Sequence, residues 1–445
     1  MLRATVAGCP DLLSLHRDAP ERYPFLLQSV AGHPQSGRWD VLFADPDEAL
    51  CLERGRLSGP YSETGNFFEA LDRWVAKTPA GLSAPELPFC GGWFVFLGYE
   101  AVSQVEPQLR LPVSPGGLPD ALAVRCRSAI LRDRIDGVVH LVTEADAATL
   151  QRLQRDVAAA VAIQPRAIPM LSIDEEPPER FVAGVHRILD YLHAGDIFQA
   201  NLSRAWSARL PEAIDAVELY ARLRDSNPAP FAGLARWGAA AVISSSPERL
   251  LQIGDGWAQT RPIAGTRPRG AGADEDEQLQ AHLRQSLKER AEHVMLLDLE
   301  RNDLGRICEP GSVAVSELMQ LESYAHVHHI VSNVRGRLRS DIGPGAALRA
   351  VFPGGTITGC PKVRAIEVIA ELEGSGRGAY TGSMGYIGRE GRLDCNILIR
   401  SLVWQPGQVT FRAGAGIVAD SVPSAELAET RAKARGLLLA LGATP

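Results

Sequence analysis

Hydrophobic and polar positions change period sharply along this chain. Over Phe198–Trp206 they alternate as in a strand, with Phe198, Ala200 and Leu202 pointing one way and Gln199, Asn201 and Ser203 the other. A strand face that is polar but uncharged is either solvated or lines a pocket. Shorter runs at Trp39–Phe43, Gly92–Leu97, Gly385–Ile387, Ile397–Val403 and Val409–Ala413 predict further strands, each closed by turn residues. Helical spacing begins after Pro177 and Pro178, where Phe181, Val185, Ile188, Leu189 and Leu192 form one stripe and Gly195 ends it. Asp274–Leu299 predicts one long helix. Asp274, Glu275, Asp276 and Glu277 suit the positive end of its dipole, and Leu279, Leu283 and Leu287 supply a packing stripe. Val363–Leu372 and Ser424–Leu439 predict two more helices. Strands and helices mix without strict alternation, so the pattern predicts an α+β layered sandwich rather than a doubly wound parallel sheet.

The clearest seam is Ile163–Pro178, rich in proline and acid and without sustained periodicity. It predicts a β-rich N-terminal region over 1–165 and a longer region over 175–445 that holds the chemistry. With 445 residues, 45% hydrophobic, the chain can bury a large core. A net charge of -7 without a basic block argues against nucleic acid and anionic membrane surfaces as partners. The seven cysteines are scattered and form no CxxC pair, which suits a reducing cytoplasm better than a disulfide or zinc framework. The first residues lack a basic-then-apolar leader, and no run approaches the ~18 apolar residues of a membrane span.

Candidate chemistry gathers in the second region. Glu289 and Glu292 are three apart, as are Glu426 and Glu429, so each pair shares one helix face. Two such faces brought together make an oxygen-rich cage of the kind Mg2+ takes, although the same spacing is common on solvated helices. Phe352–Lys362 is a glycine-rich loop with Thr356 and Thr358, leading into a helix; it can cradle an anion or simply turn, and it lacks the GK[ST] ending of a nucleotide loop. Phe411–Gly416 ends a strand in glycines that permit close approach to a ligand or form a bulge. Glu248 follows the apolar run Ala240–Ile243, as a pocket acid or as a turn residue. His326, His328 and His329 are spaced too closely for a helical metal pair, and Glu429 with Lys433 fits a plain i,i+4 ion pair.

Seven stretches in fixed order carry a resemblance: GDIFQANLSR (195–204), SSSPERL (244–250), RPIAGTRPRG (261–270), KERAEHVMLLDLERNDLGRI (288–307), FPGGTITGCPKVRAIEVIAELE (352–373), ILIRSLV (397–403) and GAGIVADS (414–421). Together the chain resembles the chorismate-utilising enzymes, a family that includes anthranilate, aminodeoxychorismate, isochorismate and salicylate synthases. The resemblance implies an α/β/β/α sandwich of the anthranilate synthase type, with chorismate as substrate and Mg2+ as cofactor. It implies Glu292 and Glu429 as direct metal ligands, with Glu289 and Glu426 acting mostly through water. Glu248 matches the general acid for the departing C4 hydroxyl. Arg400 and the Gly414, Ala415 and Gly416 backbone match the holders of the enolpyruvyl carboxylate. His329, Thr358, Gly359, Lys362 and Lys433 match positioning residues, and Gln199, Ala264 and Thr266 complete the implied catalytic set.

Gln199 stands where the water-using members carry a lysine, and an amide cannot act as a base for water. Ammonia is therefore the implied nucleophile, supplied by a separate glutamine amidotransferase subunit. FPGGTITG, the VHH before Ile330, and Leu26-Leu27-Gln28-Ser29 in place of the LLES of tryptophan-regulated members point to amination at C4. Ala264 points to C2, because C4-aminating members often carry a lysine there. The expected product is 4-amino-4-deoxychorismate, on the 4-aminobenzoate and folate branch; the alternative is anthranilate with pyruvate. A non-catalytic binding protein is the rival from another class, and the intact Glu248 and glutamate quartet speak against it.

Overall fold

The long strand Ala121–Asp133 organises the fold in this computed structural model. The structure describes residues 1–31, 37–79, 84, 86–270, 272–324 and 327–443, without the side chains of Thr266, Pro268 and Lys288. On one edge the strand pairs with Trp39–Glu53, and on the other with Gly92–Leu97 and Val138–Thr143. Two arms leave this branch. One runs from Trp39–Glu53 through Phe25–Gln28, Phe231–Trp237, Ala240–Ser246, Ser401–Gln405 and Gln408–Ile417 to Gln199–Arg209. The other runs from Gly92–Leu97 through Ser383–Gly388, Leu393–Asn396, Arg249–Gly254 and Trp257–Arg261 to Val327–Arg337. Every one of these pairings is antiparallel.

The layers follow from what each face buries. An inner core of strand and loop residues, among them Phe25, Phe43, Phe94, Leu122, Val242 and Met384, lies between the arms. Outside the first arm, Leu15, Leu153, Leu219 and Leu437 bring four helices onto Leu234, Ile243, Leu402 and Phe411. Outside the second, Leu71, Leu304 and Leu348 bring three helices onto Val95, Leu251 and Ile387. Strands covered on both sides become apolar or small at every position, which is why Ala240–Ser246 is buried throughout without alternating. The architecture is an α+β sandwich of helix, sheet, sheet and helix.

The seam at Ile163–Pro178 separates regions of sequence that share their sheets: Gly92–Leu97 pairs with Ser383–Gly388, and Phe25–Gln28 with Phe231–Trp237. Three local expectations change. Asp274–Leu299 is two helices, Ala273–Gln285 and Leu287–Gly305, broken at Ser286, whose hydroxyl accepts from the Glu289 N–H as an N-cap. Leu287 consequently leaves the packing stripe and is exposed. Phe198 precedes the strand Gln199–Arg209 and is also exposed. The strand expected over Ile397–Val403 starts only at Ser401, because Arg400 takes a left-handed conformation with φ 53°. Among the described residues no helix is long and apolar enough to cross a membrane.

Candidate active site

Strand Gln199–Arg209 lies beside Gln408–Ile417, with Gly416 opposite Asn201 and Gly414 opposite Ser203. Its alternation sorts the side chains: Ala200 and Leu202 enter an apolar cluster under the helices, while Gln199 and Asn201 face a cavity of about 570 Å3. A side chain at either glycine would close that space. A Cβ on Gly414 would come within 2.8 Å of the Tyr380 hydroxyl, and one on Gly416 within 2.5 Å of Gln199 Nε2. The glycines here keep room for a ligand.

Two helices supply the acid wall. Leu287–Gly305 presents Glu289 and Glu292, and Pro423–Ala440 presents Glu426 and Glu429, all four to the same cavity. Each of three carboxylates meets a protein donor. Arg267 donates to Glu289 at 2.9 Å, Gln199 Nε2 to Glu292 Oε1 at 3.0 Å, and Lys433 stands 2.6 Å from Glu429. Among the described residues no three metal-ligating side chains are drawn together as a ready cluster. The donor set is nonetheless all carboxylate oxygen, the chemistry that hard divalent cations prefer.

Glu248 enters from the loop after Ala240–Ser246 and accepts from the Ile263 N–H at 3.3 Å. Burial pushes its carboxyl up to about 7, and the neighbouring Glu300 adds to this, against the opposing pull of Thr356, Ile263 and Lys433. Burial and the nearby Arg400 push His329 down to about 3, so it is a neutral imidazole near pH 7. Arg400 lines the cavity with Lys433, Arg267 and Arg269, which puts local positive charge inside an acidic protein. Gln199 Oε1 and Asn201 Oδ1 are buried acceptors without a protein partner. Gln199 has its amide orientation set by Glu292, so its open oxygen is held in place.

Ala264 also lines the cavity, and the side chain of Thr266 lies outside the described residues, as does His326. Four other nominated residues stand away from the lining. Thr358 is buried and donates to Gly354 O at 2.9 Å. Gly359 is a backbone contact, for a Cβ there would sit 2.1 Å from Gln199 O. Lys362 pairs with buried Asp303 at 2.5 Å, and Ala415 packs into the apolar cluster behind the strand. His328 bonds Asp276 and Ser323. Asn201 and Thr356, read from the sequence as a polar strand position and a loop hydroxyl, line the cavity, as do Tyr380 and Arg267, which the sequence did not single out. Arg267 lies inside the stretch RPIAGTRPRG; Tyr380 has no local signal. A second cavity, of about 500 Å3, is lined by Leu27, Gln28, Ser29, Phe231, Met384 and Asn396.

Comparison with known proteins places this geometry. Residues 24–439 match the chorismate binding enzyme family. An anthranilate synthase component I-like protein from Synechocystis is 41% identical, covering 92% of this chain and 84% of its own. Anthranilate synthase component 1 from Pseudomonas aeruginosa is 37% identical over 98% of this chain and 94% of its own. The crystal structure of anthranilate synthase component I from Streptococcus pneumoniae superposes with a TM-score of 0.81 at 31% identity, covering 92% of this chain and 93% of that one. These relatives are named as anthranilate synthases, which favours the alternative reading over the closer resemblance to aminodeoxychorismate synthase expected from FPGGTITG and Gln28. With a match across nearly its whole length and an antiparallel sandwich of the same fold, the chain belongs to the chorismate-binding enzyme family.

Proposed function

We propose that this chain is the chorismate-converting component of an anthranilate synthase, turning chorismate and ammonia into anthranilate, pyruvate and water. The observation that carries this reading is 36–41% identity, over more than nine-tenths of the chain, to proteins named anthranilate synthase component 1 or anthranilate synthase component I-like. Ala264 agrees: a methyl group at this point of the cavity cannot form a covalent amine intermediate with the ring. Nitrogen bonds to C2 as the C4–O bond breaks, and the C4 hydroxyl leaves as water after taking a proton from Glu248. The C2 proton is then lost and the enolpyruvyl C–O bond breaks; the ring becomes aromatic, and the departing enolate takes up a proton at its methylene carbon to become pyruvate.

Glu248 suits its step because a carboxyl held near 7 keeps a substantial protonated fraction at neutral pH, where an ordinary glutamate has almost none. Arg400 offers a planar guanidinium to a carboxylate, and the glycine strand allows close approach. Gln199 Oε1 is an acceptor for an N–H of ammonia and is not a base for water. Glu292 and Glu429 would hold Mg2+, with Glu289 and Glu426 behind water; when bound, the ion would neutralise the ring carboxylate and draw electron density from the ring. Ammonia would come from a glutamine amidotransferase partner, and the chain would work in the cytoplasm.

Amination at C4, with the enolpyruvyl group retained, is the second reading, kept by FPGGTITG and by Gln28, whose amide is engaged with Asp40 and Tyr220. Incubation with chorismate, Mg2+ and an ammonium salt separates the two. Fluorescent anthranilate formed together with pyruvate is the expected result. A 4-amino product without pyruvate would overturn it.

A further inference from the structure

Lys433 stands where two sets of charges meet. Its ammonium lies 2.6 Å from Glu429 Oε1, one turn earlier on the helix Pro423–Ala440, and donates to Gly414 O at 3.1 Å. One contact belongs to the acid wall and the other to the glycine strand across the cavity. Arg267 and Gln199 hold Glu289 and Glu292 from other elements, through a rigid fork and a neutral amide. Lys433 differs from both. It is a compact charge on a flexible stem, able to change partners without moving its backbone.

We propose that Lys433 is an internal counter-ion of Glu429, displaced by a divalent cation, so that cation binding turns its ammonium toward the anion-binding end of the cavity. This rests on the reading of the four glutamates as a Mg2+ site. The ammonium blocks the Glu429 oxygen that a cation would use, and two positive groups crowded on one carboxylate repel each other. Gly414 O is already within its reach, so the displaced ammonium stays tethered beside Gly414–Gly416 and gains a role there. In the resting protein the same ammonium neutralises a carboxylate that would otherwise repel Glu426 and Glu292 across a shared cavity. A single side chain then serves both the empty and the loaded site.

The test is calorimetric titration of the full chain with Mg2+ alone, which needs no turnover. Lys433→Met keeps the stem and removes the charge, and Lys433→Gln is a second charge-removing variant in case the first folds poorly. The expected result is Mg2+ binding about two- to fivefold tighter than wild type, the scale of a partly exposed ion pair. In a Glu429→Gln background the same substitution should give no gain, since its partner is gone. Equal or weaker Mg2+ binding by both Lys433 variants, at unchanged melting temperature, overturns the proposal. A wild-type chain that binds no Mg2+ overturns the metal-site reading itself, an outcome distinct from unaltered binding in the variants.

Discussion

Gln199 Nε2 donates to Glu292 Oε1 at 3.0 Å, joining the strand Gln199–Arg209 to the acid-bearing helix Leu287–Gly305. One amide thereby orients a proposed metal ligand with its nitrogen and leaves its oxygen, buried and unpartnered, in the cavity. The proposed ammonia and cation sites are tied together by this side chain.

Gln199→Leu keeps the volume and removes both polar atoms. The KM for ammonium should rise about tenfold or more, since a hydrogen-bonding site that loses its partner discriminates by about 1–3 kcal/mol. The KM for chorismate should stay within about threefold. Steady-state kinetics with each substrate varied in turn checks this, and an unchanged ammonium KM would remove Gln199 from the nucleophile's site.

Glu248 links activity and stability to pH with a definite sign. Burial holds its folded value at about 7 against an ordinary 4.5, so between the two the folded chain keeps a proton that the unfolded chain has lost. The group therefore weakens the fold as pH rises from about 4.5 to 7, on the order of 3 kcal/mol in full. kcat/KM should fall as pH rises through about 7, where the acid ionises. Glu248→Gln should be inactive at every pH and lose less melting temperature than wild type between pH 5 and pH 8. Equal losses in the two proteins would refute the raised value.

Glu292→Gln or Glu429→Gln should abolish Mg2+-dependent turnover, with circular dichroism and melting temperature close to wild type. Each carboxylate lies at a cavity wall rather than within an apolar cluster, so the amide fits without repacking. Retained activity at ordinary Mg2+ concentrations would dismiss the proposed cage.

Gly359→Ala tests the backbone behind Gln199. At φ 142° a Cβ would sit 2.1 Å from Gln199 O, so strand and loop must separate. A loss of about 2–5 kcal/mol is expected from strain and overpacking. Denaturant unfolding measures it, and the surviving folded protein should also show a raised ammonium KM because Gln199 has moved.

Several features were legible in sequence because their cause is local. The strand at Gln199, the helices at Phe181 and Ser424 and the helix expected over Val363–Leu372, found over Lys362–Glu373, follow from period, proline and glycine alone. The break at Ser286 also has a local signal, since Ser286 followed three residues later by Glu289 is the S-x-x-E pattern of a helix start, set against a continuous acidic and leucine pattern that points to one helix. The resemblance implies Lys362 as a residue that positions substrate. Its chain direction instead carries it to Asp303, a partner fifty-nine positions away that no local pattern names.

The sequence by itself determined many of the element types, the α+β layered class and the ordered motifs of a chorismate-binding enzyme, since period, turn residues and motif order can be read along the chain. Tertiary structure decided which carboxylates face one another. It drew Glu248 into a buried site with a raised value, made Thr358, Gly359, Lys362 and Ala415 supports rather than lining, and added Tyr380 and Arg267 to the cavity. Burial, partner and distance arise only when strands far apart in the chain are laid side by side.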